Sequence, residues 1–431
     1  MEIEVREPAE LIDCSIFNIK HNDNDNPDNC VAGLVRGHVT VETIRKLERI
    51  ALSGTGPDPT RPYPIKTAKH YAMGLALHAS RDISTGEVIL AERPLLVIPD
   101  QFYRWMSTDE SDRDQGISQG LHNQLCLERW KKNGLESLFS RMDPKNRAAL
   151  MELSTGNPST RSSDSSRVAA IIKDNRLPLN VLNDQDRKVG YLGICKTISR
   201  INHSCIPNSI LVFNEKLFSY EIRAVRPIQQ DDAITFSYLS LYDGADCPDT
   251  MSYNDRNWKL IDEYGFTCRC FSCIRSSPDD SDQVRGTLGR SVIETRSKYL
   301  DWLSNPALDD GHVIEYCLRW LKTMDEWSLQ ALPHYRFFVQ IAHAAALALK
   351  NQPVAASLQR FFLPRLAAQS PVQIFELYRL HSSLDLENTW GGRESYGDGP
   401  ANLLARLPDC DGWEDAKDLQ GFTPFTGFNI R

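Results

Sequence analysis

Three thiols stand within six residues at Cys268, Cys270 and Cys273, in the run C-R-C-F-S-C. Buried free cysteine is common, and three of them can pack together as small hydrophobes. Thiols at this density also match the ligand chemistry of Zn²⁺, which takes thiolates in a tetrahedron and whose structural sites are closed by four ligands. The run supplies three. Candidates for the fourth are Cys205, Cys195, Cys247 and a nearby His. Cys205 is preferred, because it stands in the most unusual short segment of the chain, Asn202-His203-Ser204-Cys205-Ile206-Pro207-Asn208. A zinc held by Cys205, Cys268, Cys270 and Cys273 would pin a later segment against a central loop and build one wall of a cleft. Its binding would then be folding energy for that wall.

The elements that must position these residues are short strands interrupted by helix. Residues 1–65 carry the polar run KHNDNDNPDN and a predicted helix over Val41–Leu52, followed by the turn-rich linker SGTGPDPTRPYP. Glu87–Ala91 and Leu95–Ile98 read as strands, and residues 100–153 as helix, with ERWKKNGLESLFSRM and PKNRAALMEL at helical spacing. Ser154–Arg167 is polar and Ser-rich and reads as a mobile loop. Strands return at Leu217–Val225, where Phe218, Tyr220, Ile222 and Ala224 share one face, and at Ala233–Tyr238. Beyond Ser276 the chain reads as antiparallel helices over 313–324, 335–350, 354–369 and 372–383, with Pro333, Pro353 and Pro371 at their starts and no fixed repeat.

Composition bounds the class. The 431 residues are 41% hydrophobic and 25% charged, the balance of a soluble globular chain of two to four units. No run reaches the ~18 apolar residues of a spanning helix. The first ten residues carry four acidic side chains, where a secretory signal would be basic and then apolar. The chain therefore reads as intracellular. A net charge of −8 argues against a nucleic-acid clamp and is compatible with a basic protein partner. Eleven cysteines in a reducing compartment make metal ligation the first reading and a disulfide scaffold a poor one. Neither GxxxxGK[ST] nor GxGxxG is present.

Four segments, in order, carry a family resemblance: Ala72–Ala76 with RDISTGEVILAERPL, then RINHSCIPN, then AVRPIQQDDAITFSY, then RNWKLIDEYGFTCRCFSC. The chain resembles SET domain protein methyltransferases. Its helical insert and helical C-terminal region are similar to the SMYD-like branch, in particular to fungal members lacking the MYND finger, since no second Cys/His cluster lies between 100 and 165. The resemblance implies an α+β fold: an N-terminal extension (1–65), a SET domain (66–243) split by a helical insert at about 100–165, a zinc-bearing post-SET segment (244–276) and an α-helical C-terminal domain (277–431).

It also implies an S-adenosylmethionine-dependent protein-lysine N-methyltransferase in the nucleus, the cytoplasm or both. Such an enzyme acts on a target lysine in a protein, with no nucleic-acid or membrane partner, and as a monomer. Tyr238 matches the active-site tyrosine beside the transferring methyl, and Tyr264 a second tyrosine of the lysine channel. Phe266 matches an aromatic packed on adenine, Asn202 and His203 the donor-binding pair, with His203 acting mainly through its backbone. Asn175 resembles a further donor contact, and Gly74 a glycine that lets the backbone approach the cofactor. Taken singly, Tyr238 and Phe266 read as core aromatics, His203 as a core histidine and Asn202 as a turn residue.

Two departures stand out. Tyr71-Ala72-Met73-Gly74 keeps only the second glycine of the usual opening, and Asp231-Asp232-Ala233-Ile234 stands where Gly-Glu-Glu-Ile is common. A binding protein that has lost methyl transfer, or an enzyme using the same cleft on a small molecule, are the alternative readings.

Overall fold

The structure, a computed structural model, describes residues 14–19, 31–36, 63–70, 74–99, 135–154, 164–182, 188–214, 217–239, 251–274, 278–350 and four positions between 354 and 358. The predicted helix over Val41–Leu52, Tyr71–Met73, Cys247, the first part of the helical insert and the helices predicted beyond 358 lie outside the described residues.

Among the described residues four small sheets make up the β portion. The largest has β1 (Cys14–Ile19), β2 (Val31–Arg36), β6 (Leu96–Pro99), β8 (Lys188–Ile194) and β7 (Leu177–Leu182) side by side. A second holds β10 (Ser209–Asn214), β11 (Ser219–Ala224) and β5 (Val88–Glu92). The hairpin of β3 (Ile65–His70) and β4 (Gly74–Ala79) and a two-residue parallel pair, β9 (Asn202–His203) with β12 (Thr235–Phe236), complete it. Leu77, Ile89, Leu90, Tyr191, Phe218, Tyr220, Ile222, Ile234 and Phe236 pack between them as one apolar core.

The alternation predicted for 217–225 is realised: Tyr220, Ile222 and Ala224 of β11 face this core, and Phe218 joins them just before the strand. Residues 233–238 are read from the sequence as one strand; in the structure the ladder is reduced to Thr235 and Phe236, with Ala233 forming a single bridge to His78. Asn208 explains the shortening. Its side chain accepts from Thr235 N at 2.9 Å and donates to Ala233 O at 2.9 Å, so a side chain replaces a neighbouring strand there.

Between β6 and β7 the described chain is helical: α1 (Glu136–Arg141), α2 (Pro144–Met151) and α3 (Asp164–Asn175). Asp143 caps α2 by accepting from Lys145 N at 2.9 Å, with Pro144 in the first turn where its missing N–H costs nothing. Helix α3 begins inside the stretch expected to be a loop, at Asp164, because Val168, Ile171 and Ile172 recur at helical spacing and bury against Leu96, Ile98 and Leu150. After β12 come α4 (Tyr253–Tyr264), α5 (Phe271–Ile274), α6 (Pro278–Ser304), α7 (His312–Glu326) and α8 (Pro333–Ala348). The periodic residues Val313, Cys317, Leu321 and Met324 of α7 meet an alanine-rich face of α8 in a second core. Pro333 stands at the start of α8, as read from the sequence.

Candidate active site and metal centre

The two-residue pairing of β9 with β12 sets Thr235 opposite Asn202 and Phe236 opposite His203, which places the NHSC segment beside the chain leading to Tyr238. A 3₁₀ turn at Ile198–Arg200 feeds β9, and its start is held by Glu92. The carboxylate of half-buried Glu92, at the end of β5, accepts from Thr197 N at 2.9 Å and Ile198 N at 2.8 Å. Burial pushes this carboxyl up, and the backbone N–H groups of Ile198 and Thr197 work against that shift. Sequence reasoning missed Glu92, since a single acid at a strand end has no spacing signal.

On the other side, Gly265 ends α4 in the left-handed conformation at φ 75°. That turn sends Tyr264 and Phe266 toward the same tyrosine. The ring of Tyr238 lies 4.9 Å from Tyr264 and 6.2 Å from Phe266, the latter edge-on at 90°, and 5.2 Å from Phe236. The Tyr238 hydroxyl donates to Ile201 O at 2.7 Å, and burial holds its phenol above the ordinary range. A shallow open recess lies here, lined by Tyr238, Tyr264, Phe236, Ile198, Ile201 and Ser199 and by Asp174–Leu177, where α3 passes into β7. Arg176 closes its rim with an ion pair to Glu263 of α4.

The other predicted positions fall around this recess in different ways. Asn202 donates its amide to Leu75 O at 3.2 Å, tying β9 to the strand that Gly74 begins. Asn175 lines the recess, with its side-chain N–H groups turned to Ser154 O and Ile171 O, both at 2.9 Å. The ring of His203 is buried behind Tyr238.

The four cysteines Cys205, Cys268, Cys270 and Cys273 converge, with all Sγ atoms within 4.8 Å of one another. Sulfur separations are 3.8 Å for Cys205–Cys268, 3.6 Å for Cys205–Cys273 and 3.7 Å for Cys270–Cys273. A tetrahedron with Zn–S bonds of about 2.3 Å has edges of about 3.8 Å, so the thiols already have the spacing of a zinc shell. Cys195, the other described candidate, is buried in the sheet core instead.

Two buried arginines flank the centre. Arg285 donates to Cys205 O at 2.6 Å. Arg256 pairs with Asp282 at 3.1 Å; burial works against its charge, and Cys205, Cys273 and Asp282 hold it charged. Four thiolates around a dication would leave a double negative charge, which Arg285, together with Arg256 in its pair with Asp282, would partly offset. Neither arginine was found by sequence reasoning, since each becomes a neighbour only through helices α4 and α6.

These features define the class. Residues 74–239 match the family model described as SET domain, and the chain carries a SET domain. Its SET region is SMYD-like: it is 34% identical over 106 residues to the human histone-lysine N-methyltransferase SMYD3, covering 25% of this chain and 22% of that protein. It is also 34% identical over 127 residues to the mouse N-lysine methyltransferase SMYD2, covering 26% and 27%. The matched stretch thus spans about a quarter of the length of these relatives. A crystal structure of the SET domain of LSMT bound to lysine and AdoHcy matches at a TM-score of 0.23 and 16% identity over 79% of this chain and 86% of that one. Among the described residues no helix is long and apolar enough to cross a membrane.

Proposed function

We propose that the chain is an S-adenosylmethionine-dependent protein-lysine N-methyltransferase carrying one structural zinc. The observation that carries this reading is the recess lined by Tyr238, Tyr264 and Phe236, with Phe266 against the Tyr238 ring and a four-cysteine centre packed beside them. The residues suit the donor's chemistry. Aromatic faces favour a sulfonium cation, and the side-chain oxygen of Asn202, with no partner among the described residues, suits an α-ammonium group. S-Adenosylmethionine would supply an electrophilic methyl group. Asn202, Phe266 and the backbone beside Gly74 are the residues proposed to hold it.

The chain's own part follows from desolvation and orientation. A free lysine amine has a pKa of about 10.4 and at neutral pH is almost wholly protonated. The apolar rings of Tyr238, Tyr264 and Phe236 disfavour the ammonium form and so shift the amine toward the neutral nucleophile. Tyr238 does not take that proton, because its phenol keeps its own hydrogen and donates it to Ile201 O. Its role is to hold an oxygen lone pair toward the reacting carbon and to exclude water. The proton leaves to solvent at the mouth of the recess.

The acidic chain, at −8, suits a basic lysine-bearing segment. We assign the protein to the nucleus, the cytoplasm or both, acting as a monomer. Isothermal calorimetry with S-adenosylhomocysteine and transfer of labelled methyl to histone and non-histone lysine peptides test this reading. No donor binding at millimolar concentration would sink it, and donor binding without turnover on any lysine peptide would favour a binding protein.

A further inference from the structure

The side chain of His203 makes two contacts that a purely backbone role leaves unused. The ring is 5% exposed. Its Nδ1 lies 3.0 Å from the backbone nitrogen of Tyr238, and its Nε2 lies 3.4 Å from Sγ of Cys205. A backbone N–H can only donate, so Nδ1 is the acceptor. In a neutral imidazole the one proton is then on Nε2, aimed at the sulfur. That sulfur accepts best as a thiolate, the form in which cysteine ligates a metal. Arg285 on the carbonyl of Cys205 and Arg256 near its thiol stabilise the same negative charge.

From these contacts we propose that His203 is a positioning residue that couples the tetrathiolate centre to the active-site tyrosine. The Cys205 sulfur orients the imidazole, the imidazole fixes the Tyr238 amide, and the amide fixes the backbone from which the Tyr238 hydroxyl reaches Ile201 O. The metal centre therefore reaches the recess by two routes: through the chain that carries Tyr264 and Phe266, and through one ring. The effect on turnover rests on the methyl-transfer reading above; the hydrogen bonds do not.

Two substitutions separate the two ends of the ring. In His203→Gln the longer amide can reach the Nε2 position and donate to Cys205 while leaving the Tyr238 amide without its acceptor. In His203→Asn the shorter amide can offer an oxygen at the Nδ1 position and does not reach the sulfur. The full chain is loaded with ¹¹³Cd²⁺ and labelled with ¹⁵N-tyrosine, with Tyr238→Phe identifying the Tyr238 amide resonance.

The expected pattern is crossed. His203→Gln moves the Tyr238 amide resonance and leaves the ¹¹³Cd resonance in place, and His203→Asn does the reverse. Outer-sphere changes of this kind cost about 10–100-fold in activity or metal affinity. We expect kcat to fall by that factor in His203→Gln with little change in donor KM, and metal affinity to fall in His203→Asn. Both resonances unmoved in both variants, or both lost together along with the melting temperature, overturn the proposal.

Chelating the metal from the wild-type chain gives a second measurement that needs no variant. The Tyr238 amide resonance should shift, and an unmoved resonance overturns the coupling. A crossed pattern in a protein that transfers no methyl supports the coupling and rejects the function. Normal turnover in His203→Gln does the opposite.

Discussion

The phenolic hydroxyl of Tyr238 is bound to the backbone carbonyl of Ile201 at 2.7 Å, one residue before the Asn202–His203 strand. The active-site candidate is thereby tied to the segment proposed to hold the methyl donor. Tyr238→Phe removes this bond and the oxygen facing the recess. A buried hydrogen bond is worth about 1 kcal/mol, so the fold should survive. Loss of a preorganised polar group at the reacting centre should lower kcat about 100-fold. Single-turnover kinetics beside a urea melt will separate the two, and an unchanged kcat would remove Tyr238 from the chemistry.

Zinc stoichiometry follows from the sulfur geometry. Native mass spectrometry of the full chain should show one zinc, and Cys205→Ser should weaken its retention against a chelator. The same substitution should loosen Tyr264 and Phe266, because Cys268, which follows them by a few residues, loses its anchor to the central loop. Full zinc retention in Cys205→Ser would show that another group completes the shell.

Gly193 lies beneath the ring of Tyr220, where an added Cβ would stand 2.5 Å from the phenolic oxygen and 2.7 Å from a ring carbon. Tyr220 is fully buried and donates to Leu177 O at 2.7 Å, so it cannot swing aside. Gly193→Ala should destabilise the chain by about 1–3 kcal/mol through overpacking and a strained hydrogen bond. A denaturant midpoint equal to wild type would mean that β8 can shift away from β11.

Much of the recess was legible because it is built from residues adjacent to distinctive motifs. Tyr264, Phe266 and three of the four sulfurs lie within ten residues of one another, so spacing alone groups them. What stayed hidden depends on pairing between distant elements. Strands β1 and β2 flank the polar run at 20–29, on residues for which the sequence suggested no element, because their role is set by β2 pairing with β6. Arg256 and Arg285 are ordinary helix residues until α4 and α6 bring them to the metal site.

Asp231 shows the reverse case. It stands where a turn glycine is common, and the backbone there keeps the left-handed conformation at φ 73°, with Asp231 N donating to Ala79 O at 2.9 Å. Asp is among the few residues with a side chain that tolerate it.

Alkaline stability follows from four buried protons. Burial pushes the Cys195, Cys317, Tyr220 and Tyr238 groups up. In the unfolded chain a thiol ionises near about pH 8.5 and a phenol near about 10. The folded chain keeps protons on these four groups that the unfolded chain has released, so their contribution is full below about pH 8 and declines as the pH rises past those values. Melting temperature should fall steadily above about pH 9; a flat profile from about pH 9 to 11 would contradict it.

Cys205 and Cys268 are 63 residues apart in the chain. On a ribosome adding about 5–20 residues per second, the first sulfur emerges roughly 3–13 seconds before the second. Through that interval the NHSC loop and its sheet exist without their closing wall. The last segment to arrive is therefore the one that brings Tyr264 and Phe266, and the recess takes shape only when synthesis of the β portion is already over.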